Sequence, residues 1–215
     1  MTTPGPDEFF SCPHCNCILR RRTIASGNTF RQTLWTDTYL DRPMLPPPVE
    51  TTQCPSCATP FVVEDARNLG EHWTNPRMRD DDDEPLPEGY GTAPYVKHAN
   101  ARALRKLIAL TQDSKRLFEL RIRLWHLHNH AARAADGQSP VKKPAHFDDN
   151  LEQLLRLLKD DRGEDQFLKA EALRELGRHA EAIAMLQDID PELAWAADPI
   201  RALAQANNPR VAILE

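Results

Sequence analysis

Two short cysteine turns constrain this chain more than anything else in it. SCPHCNC begins at Ser11 and QCPSCA at Gln53, giving the pattern C-x2-C-x38-C-x2-C over Cys12, Cys15, Cys54 and Cys57. A two-residue spacing lets one tight turn wrap two sulfurs and its own backbone N–H groups around a single ion. Two such turns supply a closed tetrahedron of thiolates, the geometry that Zn²⁺ takes at structural sites. Both turns place proline directly after the first cysteine, as Pro13 and Pro55, and both lead into β-prone segments. A thioredoxin-like redox pair would need a βαβ setting with a helix after the motif, and neither pair has one. A catalytic zinc would need an open coordination position, which four thiolates do not leave. The expectation is one structural Zn²⁺ per chain.

The pattern resembles a zinc ribbon and departs from it in places. Zinc ribbons often carry glycine just after the second cysteine, where φ is positive. Here Asn16 suits that conformation and Ala58 suits it less. The 38-residue separation is long for a compact site, although loop closure costs grow only logarithmically. Cys17 is open to three readings: a competing ligand, a free thiol, or a packed side chain. His14, inside the first turn, can replace a cysteine.

Of the 18 prolines, all but Pro140, Pro144, Pro191, Pro199 and Pro209 precede Ala99. The first half therefore reads as short strands and turns. ILRRRTIAS (18–26) and TFRQTLW (29–35) look like a hairpin turning at Gly27-Asn28, Pro46–Pro48 should hold the chain extended, and PFVVED (60–65) reads as a last strand. Residues 66–92 read as a connector carrying Asp80, Asp81, Asp82, Asp83 and Glu84, which reads as a solvated run or as a ligand for a basic surface. The predicted architecture is α+β: a zinc ribbon of short antiparallel strands over 1–65, a Pro/acidic connector over 66–92, and an all-α domain of helical hairpins over 93–215 that is expected to fold alone.

Helical periodicity begins after Pro94. Leu104, Leu107 and Ile108 share one face, and Leu117, Leu120, Leu124 and Leu127 make a second stripe. FDDNLEQLLRLLKDD (147–161) is amphipathic, with Asp148 or Asp149 able to cap it. Gly177 ends the segment 164–176, and a further helix runs from Pro191 until Asn207-Asn208-Pro209 stops it. His126 and His130 are four apart on one helix, which suits either a metal or a polar helix face; a metalloprotease would need Glu beside the first histidine, where Leu127 stands. No glycine-rich phosphate loop, Gly-x-Ser-x-Gly turn or carboxylate pair appears, so the chain is not read as an enzyme. No apolar run approaches the roughly 20 residues that span a bilayer, and the N-terminus lacks a basic region followed by an apolar core, so the expected location is the cytoplasm.

LKAEALRELGRHAEAIAMLQDIDP resembles one tetratricopeptide repeat, through Ala172, Leu176, Gly177, His179, Ala182, Ile183, Leu186 and Pro191. Small Gly177 and Ala182 are expected to let two antiparallel helices approach closely. Together with LWTDTYLDRPMLPPPVETTQCPSCATPFV and the cysteine turns, the layout resembles uncharacterised bacterial proteins that join an N-terminal zinc ribbon to a tetratricopeptide-like helical domain. The resemblance implies a bacterial cytoplasm and a fold, and transfers no activity. The leading expectation is a protein–protein interaction or adapter module that meets a protein partner through its helices. The alternative is nucleic-acid binding. It draws on Arg20-Arg21-Arg22 and on residues 92–133, where nine basic residues face two acidic ones. The net charge of −5 weighs against it.

Overall fold

A computed structural model describes residues 2–78, 85–134, 142–159 and 163–214. The acidic run at 80–84, and Gly137 and Pro140, lie outside these residues. The fold is α+β, as expected, and the chain divides into two compact units: Met1–Gln32 with Arg42–Ala109, and Thr33–Asp41 with Leu110–Glu215. Among the described residues no helix is long and apolar enough to cross a membrane.

The first unit is built on two β-hairpins, each closed by a cysteine turn. Strand β1 covers Thr3–Pro4, β2 Asp7–Ser11, β3 Ile18–Arg21 and β4 Ile24–Ser26. Antiparallel β2 and β3 pair Glu8 with Arg21 through Ser11 with Ile18, and the first turn joins them. β1 pairs with β4. Further on, Thr51–Gln53 and Pro60–Val62 form the second hairpin, here β7 and β8, with Thr51 opposite Val62 and Gln53 opposite Pro60. Phe10, Leu19, Phe61, Val63 and Val96 pack around Cys12 and Cys54, all buried. Helix α1 (Ala101–Leu110) buries Ala103, Leu104 and Leu107.

Two expectations for this region fail. Residues 66–92 are not wholly a connector, because Arg67–His72 forms β9, which pairs with β2 as the other edge of a β3-β2-β9 sheet. RNLGEH shows no alternation, and its pairing with β2 shifts register between Phe9 and Phe10, where Gly70 sits at φ 97. Nor do 18–26 and 29–35 form one hairpin. Gly27 is no turn glycine: a Cβ there would meet the Met44 carbonyl oxygen at 2.6 Å and Leu45 Cδ1 at 2.9 Å. It is small because another segment lies against it. PFVVED is a strand only to Val62; Val63–Asp65 turns as a 3-10 helix.

The second unit borrows the strands β5 (Thr33–Trp35) and β6 (Leu40–Asp41) from between the cysteine turns. They form a sheet in the order β10-β5-β6, where β10 is Ile213–Leu214 at the far end of the chain. Among the described residues, six α-helices follow: α2 Ser114–His128, α3 His130–Ala134, α4 Phe147–Leu155, α5 Gly163–Glu175, α6 His179–Met185 and α7 Ala194–Gln205. Asp113 caps α2 by accepting from the Arg116 N–H at 2.8 Å. Asp148 and Asp149 lie within the first turn of α4 instead of capping it; His146 holds that place at φ 64. Gly177 closes α5 with φ 83, the Arg178 N–H bonding Leu173 O and the Gly177 N–H bonding Arg174 O, a Schellman cap. Nothing lies within 4 Å of a Cβ built there, so this glycine supplies backbone conformation and not close approach. Ala182, fully buried, is the small residue at the α5–α6 contact. Asn207 ends α7 in the same way at φ 52.

Every residue from Ala170 to Glu175 is buried, so α5 is the central helix of this unit. That includes Glu171, Arg174 and Glu175, and they belong to a polar network centred on Asp37. The Asp37 carboxylate, at 0% exposure, accepts from the Arg133 guanidinium and from Asn129 Nδ2 at 2.9 Å. Asn129 also donates to Glu175 at 3.0 Å, and Trp125 Nε1 donates to Glu175 Oε2 at 2.9 Å. Arg174 pairs with Glu171. Three buried carboxyls thus share two guanidiniums. Burial, together with the nearby Glu171 and Asp37, holds Glu175 well above the usual carboxylate range.

This network corrects the boundary at residue 93. The helical unit begins at Leu110 and not at 93, since Arg42–Ala109 belongs to the cysteine unit. It is not complete without 33–41, because Arg133 and Asn129 would lose their buried acceptor and β10 its partner strand. It also explains the long spacer between the cysteine pairs. Residues 33–41 leave for the second unit and return, so the 38 intervening residues are not one loop of the cysteine unit.

Candidate metal centre

Each cysteine turn is the same piece of backbone. In the first, the Asn16 N–H bonds Cys12 O at 2.9 Å and the Cys12 N–H bonds Cys17 O at 2.9 Å. In the second, the Ala58 N–H bonds Cys54 O at 2.9 Å and the Cys54 N–H bonds Thr59 O at 3.0 Å. Asn16 and Ala58 hold equivalent places, with φ of 59 and 57. The residue that suits the left-handed region least therefore adopts it, at a cost of about 1–2 kcal/mol relative to an unstrained residue. Ala58→Gly should stabilise this unit by about 0.5–1 kcal/mol in chemical denaturation, provided the metal is kept saturating. No gain, or a loss, would mean that the turn is not strained there.

The turns aim their N–H groups inward. Those of His14 and Cys15 point at the Cys12 sulfur, and those of Cys57 and Ser56 at the Cys54 sulfur. Burial pushes the Cys12 thiol up to about 12 in spite of its two donors. Burial acts on Cys54 in the same sense, but the Cys57 and Ser56 N–H groups and the Cys17 thiol outweigh it and bring Cys54 down to about 6. A buried sulfur that remains anionic among N–H donors is what a soft cation requires of a ligand.

Sequence spacing selects Cys12, Cys15, Cys54 and Cys57. Cys15 Sγ stands 3.7 Å from Cys54 Sγ, and Cys12 Sγ stands 3.9 Å from Cys57 Sγ. Four sulfurs each about 2.3 Å from a zinc ion at tetrahedral angles would be about 3.8 Å apart, so both cross-turn spacings fit. Cys17 is not simply packed. Its Sγ is 3.3 Å from Cys54 Sγ, and the sulfurs of Cys12, Cys15, Cys17 and Cys54 all lie within 4.8 Å of one another. The donor set fits a metal, and the group of four that the structure draws together has Cys17 where spacing placed Cys57, whose sulfur stands outside that group. His14 is exposed and is not in this group.

The histidines do other work. His126 Nε2 bonds the Asp37 carbonyl oxygen at 2.9 Å, and His130 is exposed. Among the described residues the cysteine group is the one cluster suited to a metal. Leu127, expected in the core, is 38% exposed, whereas Trp125 and His128 are buried. Trp125 takes the buried face of α2 because its indole N–H donates to the buried Glu175. Sequence reasoning missed Asp37. The available signal was the four-residue spacing of Trp125, Asn129 and Arg133, a polar-ended stripe where a purely apolar one was read.

Two of the three arginines after the first turn are already paired. Arg20 lies 3.6 Å from Asp7, and Arg21 Nε donates to Glu8 at 2.7 Å. Tyr95 stacks beneath Arg20 and donates to Asp7 at 2.6 Å. In the second unit, Leu34, Phe167, Leu168, Trp195 and Leu214 line an apolar cavity of about 230 Å³, whose rim includes a half-exposed Trp195. Comparison of the chain with protein-family models, with curated proteins and with solved structures returns no match.

Proposed function

We propose that this chain is a non-enzymatic interaction or adapter protein. Its cysteine unit is a zinc ribbon holding one structural Zn²⁺, and its helical unit is a tetratricopeptide-like module that meets a protein partner. The two equivalent cysteine turns, with cross-turn sulfur spacings of 3.7 and 3.9 Å, carry the metal half of this reading. Zinc is the ion because an all-thiolate, closed, redox-silent set is its structural preference. The interaction half draws support from the apolar cavity beside Trp195, since aromatic-rimmed apolar concavities hold the anchor side chains of partners. The likeness to bacterial ribbon-plus-helix proteins belongs to the same proposal.

The nucleic-acid alternative loses weight where it was strongest. Arg20 and Arg21 are spent on Asp7 and Glu8, so the arginine run presents fewer cations to a phosphate than its sequence suggests. Metal analysis of purified protein should give one zinc per chain. Cross-linking in the native host should recover a protein with the wild type and not with Trp195→Asp. Well under one zinc per chain, or co-purifying nucleic acid with no protein, would overturn the corresponding half.

A further inference from the structure

Five thiols surround a site that needs four. Resting on the reading that this centre holds one metal ion, we propose that Cys17 and Cys57 alternate as its fourth ligand, with Cys12, Cys15 and Cys54 common to both arrangements. The sulfurs of Cys12, Cys15, Cys17 and Cys54 lie within 4.8 Å of one another, and Cys57 stands just outside that group, with its Sγ 3.9 Å from Cys12 Sγ, the length of a tetrahedral edge.

Two of the common ligands, Cys12 and Cys54, are buried at 0% and 1% exposure and belong to the core, so they cannot leave without opening it; the third, Cys15, is exposed and is held by its 3.7 Å approach to Cys54. Cys17 and Cys57 are both half-buried, so whichever is released meets solvent and not a cavity. Cys17 is also anchored. Its carbonyl accepts the Cys12 N–H, which fixes it relative to the first turn whatever its sulfur does. In the second turn the equivalent place belongs to Thr59, whose hydroxyl turns back to Cys57 O at 3.4 Å. One turn thus offers three sulfurs and the other two.

Cys17 and Cys54 at 3.3 Å are closer than two vertices of a zinc tetrahedron, about 3.8 Å. In the arrangement with Cys57 bound, that contact is an S–H hydrogen bond from Cys17 to the Cys54 thiolate. A shift of about half an ångström, well within side-chain rotation, brings Cys17 to bonding distance. The exchange is not redox. The incoming thiol gives up its proton, the departing thiolate takes one, and the complex keeps its charge. The consequence is a site that retains its ion when either half-exposed thiol is blocked.

The full-length protein loaded with Zn²⁺ and treated briefly with iodoacetamide should carry a single label divided between Cys17 and Cys57, with Cys12, Cys15 and Cys54 spared. A label confined to Cys17 or to Cys57 means one fixed set of ligands and overturns the proposal. Loading with Co²⁺ gives a second readout. Cys57→Ser and Cys17→Ser should each keep the ligand-field absorption of a four-thiolate site, and the double variant should lose it. A three-thiolate spectrum from Cys57→Ser alone overturns the proposal. If the wild type binds neither metal and all five thiols react, the metal reading itself has failed and this inference falls with it.

Discussion

Replacing Asp37 with alanine should destabilise the helical unit by about 3–5 kcal/mol, the cost of breaking a buried ion pair from one side. The Asp37 side chain is fully buried and that of Arg133 is 7% exposed. Deleting the carboxylate leaves a guanidinium that water scarcely reaches, and it also removes the acceptor for Asn129 Nδ2. Arg133 stacks on Tyr39 at 4.1 Å, but a ring face does not replace a carboxylate. Chemical denaturation followed by helical circular dichroism is the measurement. Replacing both partners, Asp37→Leu with Arg133→Met, should recover most of the loss, because an apolar pair of similar volume leaves nothing unsatisfied. A loss below about 1 kcal/mol for Asp37→Ala would place this pair with weak surface contacts and remove the argument that 33–41 is integral to the helical unit.

The importance of Asp37 could not be read from its surroundings in the sequence. LWTDTY looks like a strand end followed by a turn, and that is its local form: the Tyr39 N–H bonds Asp37 Oδ1 at 3.2 Å, and Thr38 takes φ 65. Its significance lies in partners at 126, 129 and 133, which no local pattern connects to it. The cysteine turns were legible because their signal is short-range, with spacing and turn chemistry within six residues, but the grouping of sulfurs was not: spacing selected Cys57, and the structure draws Cys17 to Cys12, Cys15 and Cys54. The caps at Gly177 and Asn207 were legible for the same reason. The one strand pairing read from the sequence, 18–26 with 29–35, does not form, and β9, β10 and the excursion of β5 and β6 depend on pairings across the chain. No local signal marks Glu171, Arg174 and Glu175 as interior, yet each is buried: Arg174 pairs with Glu171, and Glu175 accepts from Trp125 and Asn129.

Removing the metal should unfold the cysteine unit and leave the helical unit standing. The strands around the cysteines are short, at two to six residues each, and their core is centred on Cys12 and Cys54. Structural zinc is worth about 10–16 kcal/mol of apparent binding free energy, comparable with or larger than the whole stability of an ordinary domain, about 5–15 kcal/mol. A strong chelator, or Cys54→Ser, should therefore abolish amide hydrogen-exchange protection in β2, β3, β7 and β8. The residues between the cysteine turns give the decisive reading. The Trp35 N–H bonds Tyr39 O at 2.9 Å and the Thr36 N–H bonds Ala212 O at 2.8 Å, both within the helical unit. Those two amides should stay protected, along with α5, while the chain on either side of them exchanges freely. The buried carboxylate of Asp37, paired with Arg133 and Asn129 of that same unit, anchors them there, so closing or opening the metal loop does not release them. Protection lost at Trp35 and Thr36 in step with β2 and β7 would show that the metal stabilises the excursion as well, and that the two units unfold as one.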